Sequence, residues 1–191
     1  MSVYNGKDFG SIIVNWGSMY SGKTEELLRL IKRANFAGKK FQLFKPAKDD
    51  RYDINQVKTH YGFGLEAIVV KDSLELLQKV DKDVQVIGID EAQFFGCDLV
   101  EVCQKLKREY HIDVIISGLD MKFNCEPFEV MMKLAAISDK CTKFSAVCVK
   151  CGKDAYVSHR ITEDNDDIVV GSEGVYVALC EKHHLEEIDK K

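Results

Sequence analysis

The sequence predicts an α/β protein whose mostly parallel β-sheet is flanked by helices and followed by a small C-terminal β module. Short apolar segments alternate with segments of helical periodicity between residues 11 and 117, and such alternation favours parallel strand pairing. A glycine-rich segment joins the first predicted strand to the first predicted helix. From about Thr142 the composition changes to cysteines, short β-like runs and an acidic stretch, so we predict two domains, 1–141 and 142–191.

Each element follows from a local pattern. The run SIIVNW at 11–16 is apolar and partly β-branched, which predicts a buried strand. Apolar residues at helical spacing predict a helix over 22–37, and Gly38 stands where that helix would end. Residues 47–64 lack a clear period and are predicted to form a loop or an irregular hairpin. The same criteria predict strands at 41–44, 67–70, 84–89 and 112–117, and helices at 73–80, with Ser73 as its cap, and at 99–110.

The composition is that of a globular protein with an acidic balance. The chain has 191 residues, 46% of them hydrophobic and 30% charged, and its formal net charge is -4. Nucleic-acid-binding proteins usually carry a basic balance or a basic stripe, and neither is present, so we expect no nucleic-acid partner. The polar first ten residues show no signal peptide, and no apolar run is long enough to span a bilayer. We therefore expect a cytoplasmic protein without membrane contact.

The segment GSMYSGKT matches the phosphate-loop pattern G-x-x-x-x-G-K-[ST] at every fixed position. Its glycines allow the backbone to fold tightly around phosphates, and its N–H groups supply partial positive charge. Lys23 is expected to reach the β- and γ-phosphates, and the Thr24 hydroxyl to ligate Mg²⁺. The sequence therefore predicts the fold of a P-loop NTPase, with ATP bound by Gly17, Ser18, Met19, Tyr20, Ser21, Gly22, Lys23 and Thr24.

Two acidic residues follow the strand predicted at 84–89. An acid at the carboxyl end of a strand near a phosphate loop can hold Mg²⁺ through water, and Asp90 is assigned this role. Glu91 is the candidate general base that accepts a proton from the attacking nucleophile. That nucleophile is a substrate hydroxyl in a kinase and water in an ATPase, and these motifs alone do not separate the two.

Cysteine and histidine form two closely spaced pairs in the C-terminal module. Cys148 with Cys151, and Cys180 with His183, have the short spacing that lets both members of a pair bind one ion. Three thiolates and one imidazole make a closed tetrahedral set for structural Zn²⁺, and in a reducing compartment clustered cysteines favour metal over disulfides. His184 is an alternative ligand, and His183 is preferred on spacing.

Taken together, these motifs resemble the small, zinc-containing thymidine kinases over nearly the whole chain. The string DEAQFF at 90–95 is specific to that family among phosphate-loop proteins. Two departures are small: Ser18 stands where the family often has proline, and Tyr20 where it often has phenylalanine. The other blocks that carry the resemblance are the phosphate loop, DDRY at 49–52, GLDMKF at 118–123 with Pro127 and Phe128, and the two metal pairs.

The resemblance implies a reaction and its residues. The reaction is transfer of the γ-phosphoryl group of ATP to the 5′-hydroxyl of thymidine, and of deoxyuridine, as in nucleotide salvage. The family also implies a homotetramer and feedback inhibition by thymidine triphosphate (dTTP). The residues implied are Glu91 as the base, Lys23, Thr24 and Asp90 for phosphates and magnesium, and Asp49 and Arg51 for organising both.

A pocket for the thymine base is implied as well. Flat aromatic side chains suit a flat base. Residues 161–176 resemble the family's lasso-like loop, which closes over the base, reads its edge through backbone groups and is held at its ends by the zinc. The matching pocket positions are Met19, Phe94, Leu119, Phe123, Phe128 and Tyr176, and the matching loop positions are Val169, Val170 and Gly171.

A phosphate-loop ATPase that uses its zinc element to bind DNA or protein is the alternative. The absence of a basic patch and the shortness of the chain argue against it. A zinc-dependent scaffold with an idle nucleotide site would leave Lys23 and Glu91 without a role. Thymidine-dependent release of ADP separates the kinase from both, and DNA-stimulated hydrolysis would favour the ATPase.

Overall fold

A central sheet with helices and a small C-terminal module make up the computed structural model, which describes residues 9–47, 56–58, 64–162 and 174–189. None of the described helices combines the length and the apolar composition that crossing a bilayer requires. The strands are β1 (Ile12–Gly17), β2 (Phe41–Pro46), β3 (Gln56–Lys58), β4 (Gly64–Glu66), β5 (Ile68–Val70), β6 (Val86–Ile89), β7 (Asp113–Leu119), β8 (Lys140–Phe144), β9 (Ala146–Val147), β10 (Asp154–Ala155), β11 (Val157–Arg160) and β12 (Tyr176–Leu179). The helices are α1 (Lys23–Phe36), α2 (Ser73–Gln78), α3 (Leu99–Arg108), α4 (Glu129–Ile137) and α5 (Glu181–Ile188), and a 3₁₀ turn spans Ala92–Phe94.

Within the described residues, six parallel strands form one sheet in the order β5-β2-β6-β7-β1-β8. The predicted α/β class is therefore confirmed. Strand β1 lies between β7 and β8, so that Gly17 pairs in register with both Leu119 and Phe144. Because all six strands run in one direction, the residues that follow β1, β6 and β7 meet at one edge of the sheet.

Helices cover both faces of this sheet. On one face, Ile31 of α1 packs in a cluster with Ile115 of β7. On the other face, Cys103 of α3 packs in a cluster with Val114 and Ile116 of the same strand. Burial raises the pKa of the Cys103 thiol to about 12, so this cysteine acts as a core residue. A strand buried on both faces has a continuous apolar sequence, which explains why β7 was predictable.

The cap predicted for the second helix is wrong by one residue. The N-cap of α2 is Asp72, in extended conformation, and its carboxylate accepts the N–H of Glu75 at 2.8 Å. Ser73 is instead the first helical residue, buried, and its hydroxyl donates to the carboxylate of Asp98. Two neighbouring residues could each cap the helix, and the contact with Asp98, 25 residues away, draws Ser73 into the interior.

Helix α4 and strand β8 were not predicted from the sequence. Helix α4 has the sequence EVMMKLAAI, whose apolar residues are too numerous for a one-sided periodicity to stand out. Strand β8 has the sequence KCTKF, and charged residues are typical of a strand at a sheet edge. The boundary predicted between 141 and 142 falls inside β8, whose pairing with β1 continues to Phe144. We therefore propose that the first domain ends after Phe144.

The described residues of the C-terminal module form two antiparallel strand pairs, β9 with β10 and β11 with β12, and helix α5. The lasso-like loop predicted at 161–176 lies mostly outside the described residues. Strands β3 and β4 form a further antiparallel pair, in the region predicted as a loop or hairpin. The small core of the module is formed by Ala146, Cys148, Ala155, Ala178 and Leu179, with Tyr20 of the first domain packed against it.

Gly17→Ala is expected to unfold at a much lower urea concentration than the wild type. A Cβ at this position would lie 2.1 Å from the carbonyl oxygen of Phe144, at a φ of +149° that side chains rarely adopt. Since β8 cannot retreat without losing its pairing with β1, we expect a loss of about 3 kcal/mol or more in unfolding free energy. Fluorescence of Trp16, the one tryptophan of the chain, reports the transition.

Gly38→Ala is the matched control for this substitution. Gly38 also has a positive φ, +78°, but a Cβ there meets nothing within 4 Å. The expected loss of unfolding free energy in Gly38→Ala comes from backbone strain alone and is about 1–2 kcal/mol. Equal losses in the two variants would show that the close approach of β1 and β8 is not the constraint at Gly17.

Candidate active site

The phosphate loop is closed by hydrogen bonds ahead of α1. Gly22, with φ at 85°, precedes the helix, and its carbonyl accepts the N–H of Glu26 at 3.0 Å. Lys23 is only 9% exposed, and its ammonium donates to the carbonyl oxygen of Ser18 at 2.6 Å. The hydroxyl of Ser21 donates to the same carbonyl at 2.8 Å. A cation is thus held inside a loop whose backbone suits phosphate binding.

Thr24 and Asp90 join the start of α1 to the end of β6. The Thr24 hydroxyl oxygen lies 3.4 and 3.3 Å from the two carboxylate oxygens of Asp90. Asp90 is buried, and its N–H donates to the carbonyl of Phe44 at 3.0 Å, so the sheet fixes its position. A hydroxyl and a carboxylate beside a phosphate loop are oxygen ligands of the kind that Mg²⁺ prefers.

Glu91 adopts a left-handed backbone conformation, with φ 50° and ψ 42°, where β6 gives way to the 3₁₀ turn. This conformation is costly for a residue with a side chain, and such residues concentrate at functional sites. The Glu91 carboxylate accepts a hydrogen bond from the amide of Gln93. Glu91 lines one cleft together with Leu119 and residues 19–25. The candidate base therefore lies in the same cleft as the phosphate loop.

Four of the predicted base-pocket residues lie in two groups. Met19 and Leu119 line the cleft that contains Glu91. Phe123 lies under the guanidinium group of Arg160, whose Cζ is 3.7 Å from the ring centroid. Arg160 is buried and donates to the hydroxyl of Tyr176 at 3.3 Å. Phe123 and Tyr176 are thus joined through one cation, which stabilises both aromatic rings.

Of the remaining predicted site residues, some lie in the described part of the chain and some lie outside it. Phe94 is half-buried on the 3₁₀ turn, and Phe128 is buried in the main core directly before α4. The backbone N–H of Phe128 donates to the carbonyl of Asp120 at 3.0 Å, which closes the loop that carries Phe123. The predicted residues Asp49, Arg51, Val169, Val170 and Gly171 lie outside the described residues.

Hydrogen bonds attach the phosphate loop to the C-terminal module. The hydroxyl of Ser18 donates to the carbonyl of Ala155 at 3.0 Å. The backbone N–H of Met19 donates to the hydroxyl oxygen of Ser158 at 2.9 Å. The hydroxyl of Tyr20, the residue that departs from the family's usual phenylalanine, donates to the carbonyl of Tyr176 at 3.3 Å. The loop is therefore anchored to both strand pairs of the module.

Sequence reasoning missed Ser158, Arg160 and Gln93. Ser158 and Arg160 lie two positions apart on the short strand β11, whose sequence VSHR shows no alternation of polar and apolar residues, so no local signal marks them. Their partners Met19 and Phe123 are distant in sequence. Gln93 stands inside the motif that carries the family resemblance, which marks the position without indicating its contacts.

The predicted metal ligands lie together. The ligand atoms of Cys148, Cys151, Cys180 and His183 all lie within 4.8 Å of one another. Nδ1 of His183 is 3.4 Å from Sγ of Cys148 and 3.3 Å from Sγ of Cys180, and the sulfurs of Cys151 and Cys180 are 3.8 Å apart. The corresponding edges of a tetrahedral zinc site are about 3.5 Å for sulfur to nitrogen and about 3.8 Å for sulfur to sulfur. The four residues therefore fit Zn²⁺.

Cys148 is prepared to act as a thiolate. Its burial opposes ionisation, but hydrogen bonds from the backbone N–H groups of Cys180, Lys150 and Cys151 and from His183 outweigh that effect and lower the pKa of its thiol to about 5. A thiolate is the form that binds a metal, so this sulfur is a ready ligand at neutral pH.

His184 faces away from this cluster. Its Nδ1 is 2.9 Å from Nδ1 of His159, and its Nε2 is 3.6 Å from Sγ of Cys125. Burial lowers the pKa of His184, which keeps the ring neutral and able to share one hydrogen with His159. Of the two adjacent histidines, His183 lies in the cluster and His184 attaches α5 to β11.

Comparison with known proteins agrees with this geometry. The thymidine kinase family model matches residues 10–184. The chain is also 43% identical over 176 residues to the thymidine kinase of Bacteroides thetaiotaomicron, an alignment that covers 92% of this chain and 87% of that one. A match of this extent includes the phosphate loop, both acids at the end of β6 and the cysteine–histidine cluster, and it shows that this chain belongs to the thymidine kinase family.

Proposed function

We propose that this protein transfers the γ-phosphoryl group of ATP to the 5′-hydroxyl of thymidine, and also of deoxyuridine. The observation that carries the proposal is that Glu91 lines the same cleft as the phosphate loop. A base and a phosphate cradle must lie this close if a hydroxyl is to attack a bound γ-phosphoryl group. The named activity of the bacterial relative supports the choice of thymidine.

ATP and Mg²⁺ would bind along the phosphate loop, from Gly17 to Thr24. The hydrogen bond from Lys23 to the Ser18 carbonyl is one that phosphate oxygens can replace, since both are acceptors. Thr24 and Asp90 would hold the Mg²⁺ that neutralises the phosphates. Arg51 and Asp49 are assigned to the same charges on the family resemblance alone.

Glu91 would act as the general base. Its carboxylate would accept the proton of the 5′-hydroxyl as the oxygen attacks phosphorus, while Lys23 stabilises the charge on the transferring group. The strained backbone of Glu91 supports this role, because it aims a carboxylate where relaxed backbone would not.

The thymine base would lie beside Met19 and Leu119, with Phe123 and Tyr176 as aromatic neighbours. Phe94 and Phe128 are assigned to the same pocket on the family resemblance, as are Val169, Val170 and Gly171 of the lasso-like loop. The resemblance also leads us to propose a cytoplasmic homotetramer that is inhibited by dTTP.

A structural Zn²⁺ would be held by Cys148, Cys151, Cys180 and His183. The donor set and its interatomic distances support zinc over a hard cation such as Mg²⁺. These residues lie in the turn after β9 and at the start of α5, so a bound ion would connect the two and close the base of the lasso-like loop.

Coupled release of ADP is the first test of the activity. With Mg-ATP, we expect a large rate of ADP release with thymidine, release with deoxyuridine as well, and none with uridine. If the rate of ADP release does not change with thymidine but rises with double-stranded DNA, the result would contradict the kinase and favour the ATPase alternative.

Glu91→Gln is expected to lower kcat by about 10²–10⁴-fold while ATP still binds. The amide keeps the size of the side chain but cannot accept the hydroxyl proton at neutral pH. Thymidine-dependent ADP release measures kcat, and fluorescence of Trp16 beside the phosphate loop measures ATP binding. Glu101→Gln, an exposed position on α3, is the charge-matched control and should keep wild-type kcat. Normal turnover in Glu91→Gln would exclude Glu91 as the base.

His183→Ala and His184→Ala form a matched pair that tests the zinc site. Elemental analysis of purified protein should find zinc in the wild type and in His184→Ala, and a large loss in His183→Ala. The two substitutions remove the same ring from adjacent positions of one helix, but the His183 ring alone contacts the cysteine sulfurs Cys148 and Cys180. Full zinc content in His183→Ala, or its loss in His184→Ala, would contradict the ligand assignment.

A further inference from the structure

Gln93 joins the two sides of the cleft through its side-chain amide. It is 5% exposed and lies on the 3₁₀ turn that follows β6. Its Nε2 donates to the carboxylate of Glu91. Its Oε1 accepts the backbone N–H of Leu119, at the end of β7, at 2.9 Å. One buried side chain therefore contacts both the candidate base and the strand end that forms a wall of the cleft.

The orientation of this amide is determined by its partners. A backbone N–H can only donate, so the group facing Leu119 must be the amide oxygen. The –NH₂ group then faces Glu91, whose ionised carboxylate can only accept. Each end of the amide thus meets a partner of the opposite kind, and the hydrogen bond to Glu91 favours the ionised carboxylate.

Gly118 provides the space in which the amide lies. A Cβ on Gly118 would be 2.9 Å from Oε1 of Gln93 and 2.7 Å from Sδ of the buried Met131. The backbone of Gly118 is not strained, so glycine is needed here because there is no room for a side chain, and not because of an unusual φ. The strand end and the amide oxygen are therefore fitted to each other.

We propose that Gln93 is a positioning residue that holds the Glu91 carboxylate, ionised and aimed into the cleft, at a fixed distance from Leu119. The proposal rests on the proposed role of Glu91 as the base. The side chain of Glu91 has several rotatable bonds. Because the Gln93 amide is anchored to the sheet through Leu119, its hydrogen bond to the Glu91 carboxylate restricts rotation about those bonds. The same amide fixes the Glu91 carboxylate relative to Leu119, beside which thymine would lie. The 5′-hydroxyl of a bound thymidine would therefore lie close to that carboxylate.

Gln93→Glu separates the two contacts of the amide. It keeps an oxygen for the Leu119 N–H but places a second carboxylate against Glu91, and two adjacent carboxylates share a proton. We expect kcat at pH 7 to fall at least about tenfold, and the acidic limb of the kcat–pH profile to move up by about one unit or more. The KM for thymidine should stay within about threefold of wild type, since the Leu119 contact is kept.

Gln93→Met removes both contacts at nearly constant volume. We expect a similar loss of kcat together with a higher KM for thymidine, because Leu119 also loses its acceptor. Lys23 and Glu25 at the start of α1 line the cleft with Glu91, Asp90 precedes it at the end of β6, and these charged groups are unchanged in the variants. Should Gln93→Glu not accumulate as folded protein, Gln93→Met carries the same test of kcat and its pH profile.

Gln42→Glu is a matched control at the opposite end of the sheet. The amide of Gln42 donates to the carboxylate of Asp81 and accepts the Asp81 backbone N–H, so it too bridges a carboxylate and an N–H group. The same substitution there should leave kcat and its pH profile unchanged.

The double variant Glu91→Gln/Gln93→Glu tells whether Gln93 acts through Glu91. If it does, Gln93→Glu causes no further loss of kcat once Glu91 is gone. A wild-type kcat–pH profile in Gln93→Glu, or an equal loss in both backgrounds, would overturn the proposal. These outcomes are distinct from failure of the proposed function, in which Glu91→Gln alone, or the wild-type protein with thymidine, would give the contrary result.

Discussion

The structure depends on the close approach of Gly17 to Phe144, where β1 meets the edge strand β8. A Cβ on Gly17 would lie 2.1 Å from the Phe144 carbonyl, so the phosphate loop can begin at this point only because the residue has no side chain. Beyond it, Ser18 and Met19 hydrogen-bond to Ala155 and Ser158 of the C-terminal module. The loop that would bind ATP is thus fixed on one side by the sheet and on the other by the module.

Parallel topology explains why the chemical groups converge. Strands β6, β7 and β1 are neighbours, and their carboxyl ends deliver Asp90 and Glu91, Leu119, and the phosphate loop to one edge. Their order along the chain is different, since Asp90 comes 73 positions after Gly17, yet the sheet makes the strand ends adjacent. The residues proposed to bind phosphate, to hold the metal and to accept the proton therefore lie on separate loops, and the parallel strands fix the spacing between them.

How far the sequence could predict this site depends on how local each interaction is. The phosphate loop was predictable because its conformation and its Lys23 contact involve residues within five positions of each other. The buried strands were predictable because both of their faces are apolar. The bond from Met19 to Ser158 spans 139 positions and that from Leu119 to Gln93 spans 26, and no local pattern indicates either. Ser73 shows the converse. Serine is a common N-cap residue, but the hydrogen bond of Ser73 to the distant Asp98 accompanies a position inside the helix instead.

The C-terminal module has a small core, and the proposed zinc site lies beside it. Its buried core consists of Ala146, Cys148, Ala155, Ala178 and Leu179, a small apolar surface for two strand pairs, and contacts with the phosphate loop add to it. A zinc ion on the proposed ligands would add further stability, because metal binding is coupled to folding. Cys180 follows directly on β12, whose first residue is Tyr176, and His184 attaches the adjoining helix to His159, beside Arg160. A zinc ion at Cys180 and His183 would therefore hold the end of β12, whose Tyr176 pairs with Arg160 of β11, and the order of the base pocket would then depend on the metal.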